Sequence, residues 1–127
     1  MNDEKNKLQD SGKRINFGED AAIREDAENK GRQDLISPFA LTRLAKHYEN
    51  GAKKYSDRNW ERGMNYSRYT ASMFRHLIAW MKGMEDEDHL AAIAWNAFAI
   101  MHHQELGESQ WDDMPRYIVK VKDPMKE

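Results

Sequence analysis

The segment 86–105, DEDHLAAIAWNAFAIMHHQE, sets His89, Asn96 and His103 at intervals of seven residues. Seven residues make nearly two turns of an α-helix, so the three polar groups fall along one line. Around that line stand Ala91, Ala92, Ala94, Ala97 and Ala99, small enough for another helix or a ligand to come close. Asp86, Glu87 and Asp88 crowd the start of the same helix. An apolar helix with a polar stripe and an acidic mouth points to a site inside a helical bundle. A plainer account also fits: His89 as a hydrogen-bonded core histidine, Asn96 as a buried spacer, the acids as an N-terminal cap.

Two further segments read as helices. In SPFALTRLAKHYENGAKKY, Ser37 suits a cap and Pro38 the first helical position, with Gly51 as a break or close-contact point. Leu41, Leu44, Ala45, Tyr48, Ala52 and Tyr55 recur at steps of three and four and form its core stripe. The second helix, SRYTASMFRHLIAWMKG, starts at Ser67 and stops near Gly83, with a stripe of Tyr69, Met73, Leu77 and Trp80 and His76 beside it. The acidic turn follows at once, so this helix and the next form an antiparallel hairpin. Between the first two helices, SDRNWERGMNY is turn-rich and carries Trp60.

The expected fold is therefore all-α, a small antiparallel bundle of three main helices. The polar residues 1–17 form a flexible tail, residues 18–127 one helical domain, and Tyr117–Val121 a short extended piece confined by Pro115 and Pro124. All four tryptophans lie between Trp60 and Trp111, a meagre apolar stock for a self-sufficient monomer among 127 residues. Pairing with further copies would complete the bundle, so a homo-oligomer is expected.

Charge excludes some classes. One third of the residues are charged, yet the formal charge is −2, which argues against a binder of nucleic-acid polymers. With no cysteine, thiolate metal sites and disulfides are impossible. No apolar run has the length of a membrane span, and MNDEKNKLQDSGKR lacks the apolar core of a signal peptide, so a soluble cytoplasmic protein is expected.

Three constellations can carry chemistry. Glu49, His76, Glu87, Asp88 and His89 come from separate helices and offer a cation carboxylate oxygens and imidazoles. The spacing lacks the HExxH of zinc enzymes and favours Mg²⁺, with Mn²⁺ as the other candidate; Glu49 can equally pair with Lys53 on the surface. Lys53, Lys54, Arg58, Arg62 and Arg75 can grip phosphate without a glycine-rich loop. Tyr55, Asn59 and Trp60 can form a base-binding wall, the indole by stacking and the amide by reading an edge, although Trp60 can also be a simple loop anchor. No nucleophilic side chain is evident, which leaves metal-activated water as the natural attacking group.

The strings KGRQDLISPFALTRLAKHYENGAKKYSDRNWERG, SRYTASMFRHLIAWMKG and DEDHLAAIAWN resemble the phage-encoded dATP/dGTP diphosphohydrolase N-terminal family, from about Phe17 to Glu105. That family is similar to all-α nucleoside triphosphate pyrophosphohydrolases of the MazG type. The resemblance implies a purine nucleotide as substrate, cleaved to monophosphate and pyrophosphate with Mg²⁺ in the bacterial cytosol. The mechanism expected for these residues assigns Glu49, Glu87 and Asp88 to the metal, with His76 and Asn96 bound to it or next to its ligands. Lys54, Arg58 and Arg75 go to the phosphates, Asn59 and Trp60 to the base, and His89 to orienting a water or a ligand carboxylate. The MazG-type pattern pairs ExxE with a later ExxD, whereas the first helix here carries no ExxE, and His89 and Asn96 stand on the helix where acids would be expected. That departure keeps a second reading open, a phage protein that sequesters a nucleotide signal without hydrolysing it.

Overall fold

The computed structural model describes residues 14–16, 21–25 and 29–117. Its frame is three helices, α1 (Pro38–Lys54), α2 (Tyr66–Met81) and α3 (His89–Glu105). The expected all-α architecture is what folds. Ahead of the helices, β1 (Arg14–Asn16) pairs antiparallel with β2 (Ile23–Glu25), Ile15 opposite Arg24. This small ladder was not expected from the polar N-terminal sequence. The extended piece expected at Tyr117–Val121 falls outside the described residues beyond Tyr117.

Local chemistry fixes the helix ends. The Ala40 backbone N–H donates to Ser37 Oγ (3.2 Å) and Pro38 occupies the first turn, where its missing N–H costs nothing. Helix α2 is capped from far along the chain: the Ser67 N–H donates to Asp113 Oδ1 at 2.9 Å. Both later helices close with a left-handed glycine. Gly83 (φ +77°) ends α2, with its N–H on Trp80 O and that of Met84 on Ala79 O. Gly107 (φ +68°) ends α3, with its N–H on Gln104 O and that of Glu108 on His103 O. This is the two-bond closure that satisfies a helix's last carbonyls. Gly51, expected as a break or contact point, does neither: it lies inside α1, and a Cβ there would meet nothing within 4 Å.

The core lies between α2 and α3 and is thin. Tyr66, Tyr69 and Ala99 form its centre, with Trp95, Ile100, Trp111 and Met114 packed against them. Of the stripe expected on α1, Leu44 is buried and Tyr48 and Ala52 half-buried, while Leu41, Ala45 and Tyr55 are exposed. On α2, Leu77 and Trp80 also stand exposed. Of the expected α2 stripe Tyr69 is buried, and the face that meets α3 joins it with Tyr66 against Ala99 and with Ser72 and His76 against the polar line of Asn96 and His89. His89, Asn96 and His103 are all buried, as their spacing predicts.

Candidate functional site

The polar line of α3 is a ladder of contacts across the helix hairpin. At its centre Asn96 Nδ2 donates to Ser72 Oγ (3.2 Å) and to Ala92 O (2.8 Å). At its upper end His89 Nδ1 lies 2.9 Å from His76 Nδ1. His89 Nε2 lies 2.8 Å from Asp86 Oδ1, three residues back, and this contact holds the Asp86 carboxyl below its ordinary range. Glu87 Oε1 approaches the same point, 3.3 Å from His76 Nδ1 and 4.0 Å from His89 Nδ1. His76, Glu87 and His89 thus converge three potential ligand atoms within 4.8 Å of one another. His89 is buried, His76 half-buried and Glu87 exposed, so the group opens to water on one side. That side is a hollow of about 540 Å³, lined in part by Arg43, Trp80, Glu87 and Asp88.

A larger cleft of about 920 Å³ runs between α1, the 55–64 loop and Trp95. Arg58, Asn59, Trp60, Arg62 and Glu49 line it together. Trp60 is both wall and anchor, edge-on to Tyr48 (5.8 Å between ring centres) and to His102 (4.7 Å). Arg58 holds a left-handed backbone (φ 60°, ψ 18°) and donates to Glu61 Oε1 at 2.6 Å.

His47 belongs to the lining of the cleft and is the residue there that feels the charges of the first group. It packs on Trp95 at 6.0 Å and lies within the fields of Glu87, His76 and Asp88. Burial pushes its pKa down, against the pull of the two acids, so it favours the neutral imidazole.

The residues expected to act together are therefore divided. His76, Glu87 and His89 meet; Arg58, Asn59 and Trp60 meet elsewhere, with Glu49. Asp88 caps α3, accepting from Ala91 N–H (3.1 Å), and takes a bidentate pair from Arg43 at 2.6 and 2.8 Å. The Arg43 guanidinium is the main cause of its lowered pKa. Glu49 sits exposed between Lys46 (2.7 Å) and Lys53 (3.8 Å). Lys54 lies over the Tyr55 ring at 5.4 Å, and Arg75 is exposed on α2; neither lines the cleft. Asn96 is closed within the helix hairpin.

Arg43 and His47 were not singled out by the sequence reading. Their signal was available: a cation and an imidazole one turn apart on α1, able to face the acids that open α3.

No curated protein and no solved structure matches this chain. Residues 20–113 match the family described as dATP/dGTP diphosphohydrolase, N-terminal, and span all three helices, both clefts and the residues between them. The chain belongs to the dATP/dGTP diphosphohydrolase N-terminal family.

Proposed function

We propose that this protein is a metal-dependent nucleoside triphosphate pyrophosphohydrolase that converts dATP or dGTP to the monophosphate and pyrophosphate. The observation that carries the reading is the cleft, which gathers Arg58, Asn59 and Trp60 on one wall and His47, which feels the charge of Glu87 and His76, in its lining. Its volume of about 920 Å³ suits a small-molecule ligand, and its aromatic lining suits a base. Asn59 presents both a donor and an acceptor to a base edge. Arg58 and Arg62 supply positive charge for phosphate oxygens.

Hydrolysis forms a bond from water oxygen to the α-phosphorus and breaks the bond to the bridging oxygen, which leaves with pyrophosphate. The attacking water must lose a proton, and His47, an imidazole in the cleft lining whose burial favours the neutral form, is the candidate acceptor. His76, Glu87 and His89 would hold the divalent ion; the two imidazoles among these donors favour Mn²⁺ over the Mg²⁺ expected from the sequence. When bound, such an ion neutralises phosphate charge and acidifies water. Asp88, through its pair with Arg43, sets the start of α3 and so the position of His89.

A homo-oligomer of this chain acting in the bacterial cytosol belongs to the same proposal. Supporting it, Phe74, Met81 and Trp80 on α2 are 61%, 72% and 51% exposed, a broad apolar face for a small chain.

The second reading, sequestration without cleavage, is favoured by one observation: Asp88 and Glu49 are already occupied by Arg43 and lysines, leaving Glu87 as the available acid. Incubation with dATP, dGTP and the other triphosphates plus Mg²⁺ or Mn²⁺, followed by product analysis, separates the two. Monophosphate and pyrophosphate appearing only with metal, and lost in Glu87→Gln, is the expected result. Recovery of intact nucleotide from a tight complex would give the sequestering reading its place.

A further inference from the structure

We infer that His76 Nδ1, His89 Nδ1 and Glu87 Oε1 form the ligand set of a transition-metal ion of the Mn²⁺, Fe²⁺ or Co²⁺ class, and that Asp86 fixes the tautomer that makes it possible. The inference rests on reading the α2–α3 group as a metal centre, but not on any nucleotide chemistry.

The tautomer argument comes first. The carboxylate of Asp86, 2.8 Å from His89 Nε2, accepts a proton and offers none, so Nε2 carries the hydrogen and Nδ1 keeps a lone pair. A carboxylate behind the ligating imidazole is the recurrent companion of metal-bound histidine. That lone pair is aimed at the point where His76 Nδ1 and Glu87 Oε1 also arrive.

The spacing comes second. Two donors about 2.1 Å from one ion and at right angles to each other stand about 3.0 Å apart. His76 and His89 place their nitrogens 2.9 Å apart. The oxygen of Glu87 stands 3.3 and 4.0 Å from them, so all three donors fit one face of an octahedron with only a small side-chain adjustment of Glu87, which is exposed. Glu87 and His89 border the hollow of about 540 Å³, which would give water or an exogenous oxygen ligand access to an ion held there.

Donor type decides the ion. Magnesium prefers oxygen and parts with water reluctantly, whereas imidazole nitrogen suits the first-row transition ions. Two imidazoles and one carboxylate, with open positions, is the donor set of mononuclear sites in that class. The competing account is a simple hydrogen bond in which His76 Nδ1–H donates to His89 Nδ1. It explains the 2.9 Å distance, with Glu87 Oε1 as a second acceptor at 3.3 Å from His76 Nδ1, and it predicts no uptake of a metal ion.

The test needs no nucleotide. The full chain is titrated with Mn²⁺, Co²⁺ and Mg²⁺ separately, following free Mn²⁺ by electron paramagnetic resonance and the visible absorption of Co²⁺. The expected result is one Mn²⁺ or Co²⁺ per chain, nitrogen hyperfine coupling on the bound Mn²⁺, and at least tenfold weaker binding of Mg²⁺. His76→Ala removes the nitrogen coupling of one ligand, Glu87→Gln weakens binding, and Asp86→Asn weakens it by about 10–100-fold through the lost tautomer control. Glu87 is exposed, so Glu87→Gln folds even where a histidine variant does not. Binding without nitrogen coupling, or unaffected by Glu87→Gln and His76→Ala, overturns the assignment. Loss of hydrolysis in an Arg58 or Trp60 variant that still binds Mn²⁺ separates a failure of the nucleotide reading from a failure of this one.

Discussion

Helix α3 carries a buried histidine near each end, and each is held by a carboxylate, yet the two surroundings differ. His89, the first helical residue, faces a second imidazole and Glu87 beside a hollow open to solvent. His103 is wholly buried; its Nδ1 lies 2.8 Å from Glu108 Oε2, and Trp111 Nε1 donates to the same oxygen at 3.3 Å. Its Nε2 has no hydrogen-bond partner among the described residues. The same side chain on the same helix line is a ligand candidate at one end and a latch at the other. What separates them is whether a further donor and an opening to water come with the imidazole.

Truncating each histidine is the hardest test of that contrast. His103→Ala leaves a cavity in the closed end and takes one of two partners from the Glu108 carboxylate; by analogy with large-to-small core changes it costs about 3–4 kcal/mol, read from the urea midpoint. His89→Ala opens onto the hollow, where water can enter, so its cost should be about half as large. Equal costs would mean that the His89 end is as closed as the other. Gly63→Ala strikes the closed end from outside. Its φ of +81° disfavours any side chain, and a Cβ would sit 2.5 Å from Trp111 Nε1 and 3.1 Å from His103 Cε1. Backbone strain and overpacking together predict a loss of about 2–4 kcal/mol. Its Mn²⁺ binding should survive in whatever fraction remains folded.

Much of this arrangement was legible in the sequence. The seven-residue spacing of His89, Asn96 and His103 marks a buried line, because a helix repeats its faces at nearly that interval. Ser37 and Pro38 announced the start of α1 through local chemistry alone. Partners set by tertiary geometry were not legible. Nothing local tells that Asp113 caps Ser67, that Arg43 takes Asp88, or that Gly107 turns Glu108 back onto His103. Glu49 and Asp88 looked like ligands because acids at helix mouths and faces look alike in a sequence. The other roles, a surface pair for Glu49 and a cap for Asp88, were equally open in the sequence, and the structure shows Glu49 between Lys46 and Lys53 and Asp88 capping α3 against Arg43.

Asp88 therefore offers a cleaner test of cap against ligand than simple removal does. Asp88→Ala loses the Ala91 N–H bond and the Arg43 pair and should cost about 1–2 kcal/mol. Asp88→Asn keeps a good capping side chain and should cost less than half of that. If Asp88→Asn keeps its stability and its Mn²⁺ affinity, the residue belongs to the frame of the site. If it keeps stability but loses the ion, Asp88 is a ligand after all.

The closed end also has an acid signature. The His103 contact, with help from the Trp111 N–H, holds the Glu108 carboxyl below its ordinary range. A carboxyl with a lowered folded-state pKa contributes stability that is fully present above its unfolded value, about 4.3. That contribution fades as pH falls through the lower folded value. Urea unfolding of the wild type and Glu108→Gln should therefore differ at pH 7 and converge as the pH is taken below about 4. A gap that persists at low pH would assign the effect to packing.

The smallest effect sets the cleft against both ends of α3. Arg58 has φ 60° in the wall that Asn59 and Trp60 share, a conformation that costs a non-glycine residue about 1 kcal/mol or more. Arg58→Gly relieves the strain but frees the unfolded chain and drops the Glu61 pair, so a net gain of only about 0.5 kcal/mol is expected. Binding of dATP or dGTP should nevertheless weaken about tenfold, as the loss of one charge-assisted phosphate contact implies. Stability and affinity moving in opposite directions would mark Arg58 as a residue kept in strain for its ligand. If both fall, the left-handed turn is part of the frame, and phosphate recognition passes to Arg62 on the same wall.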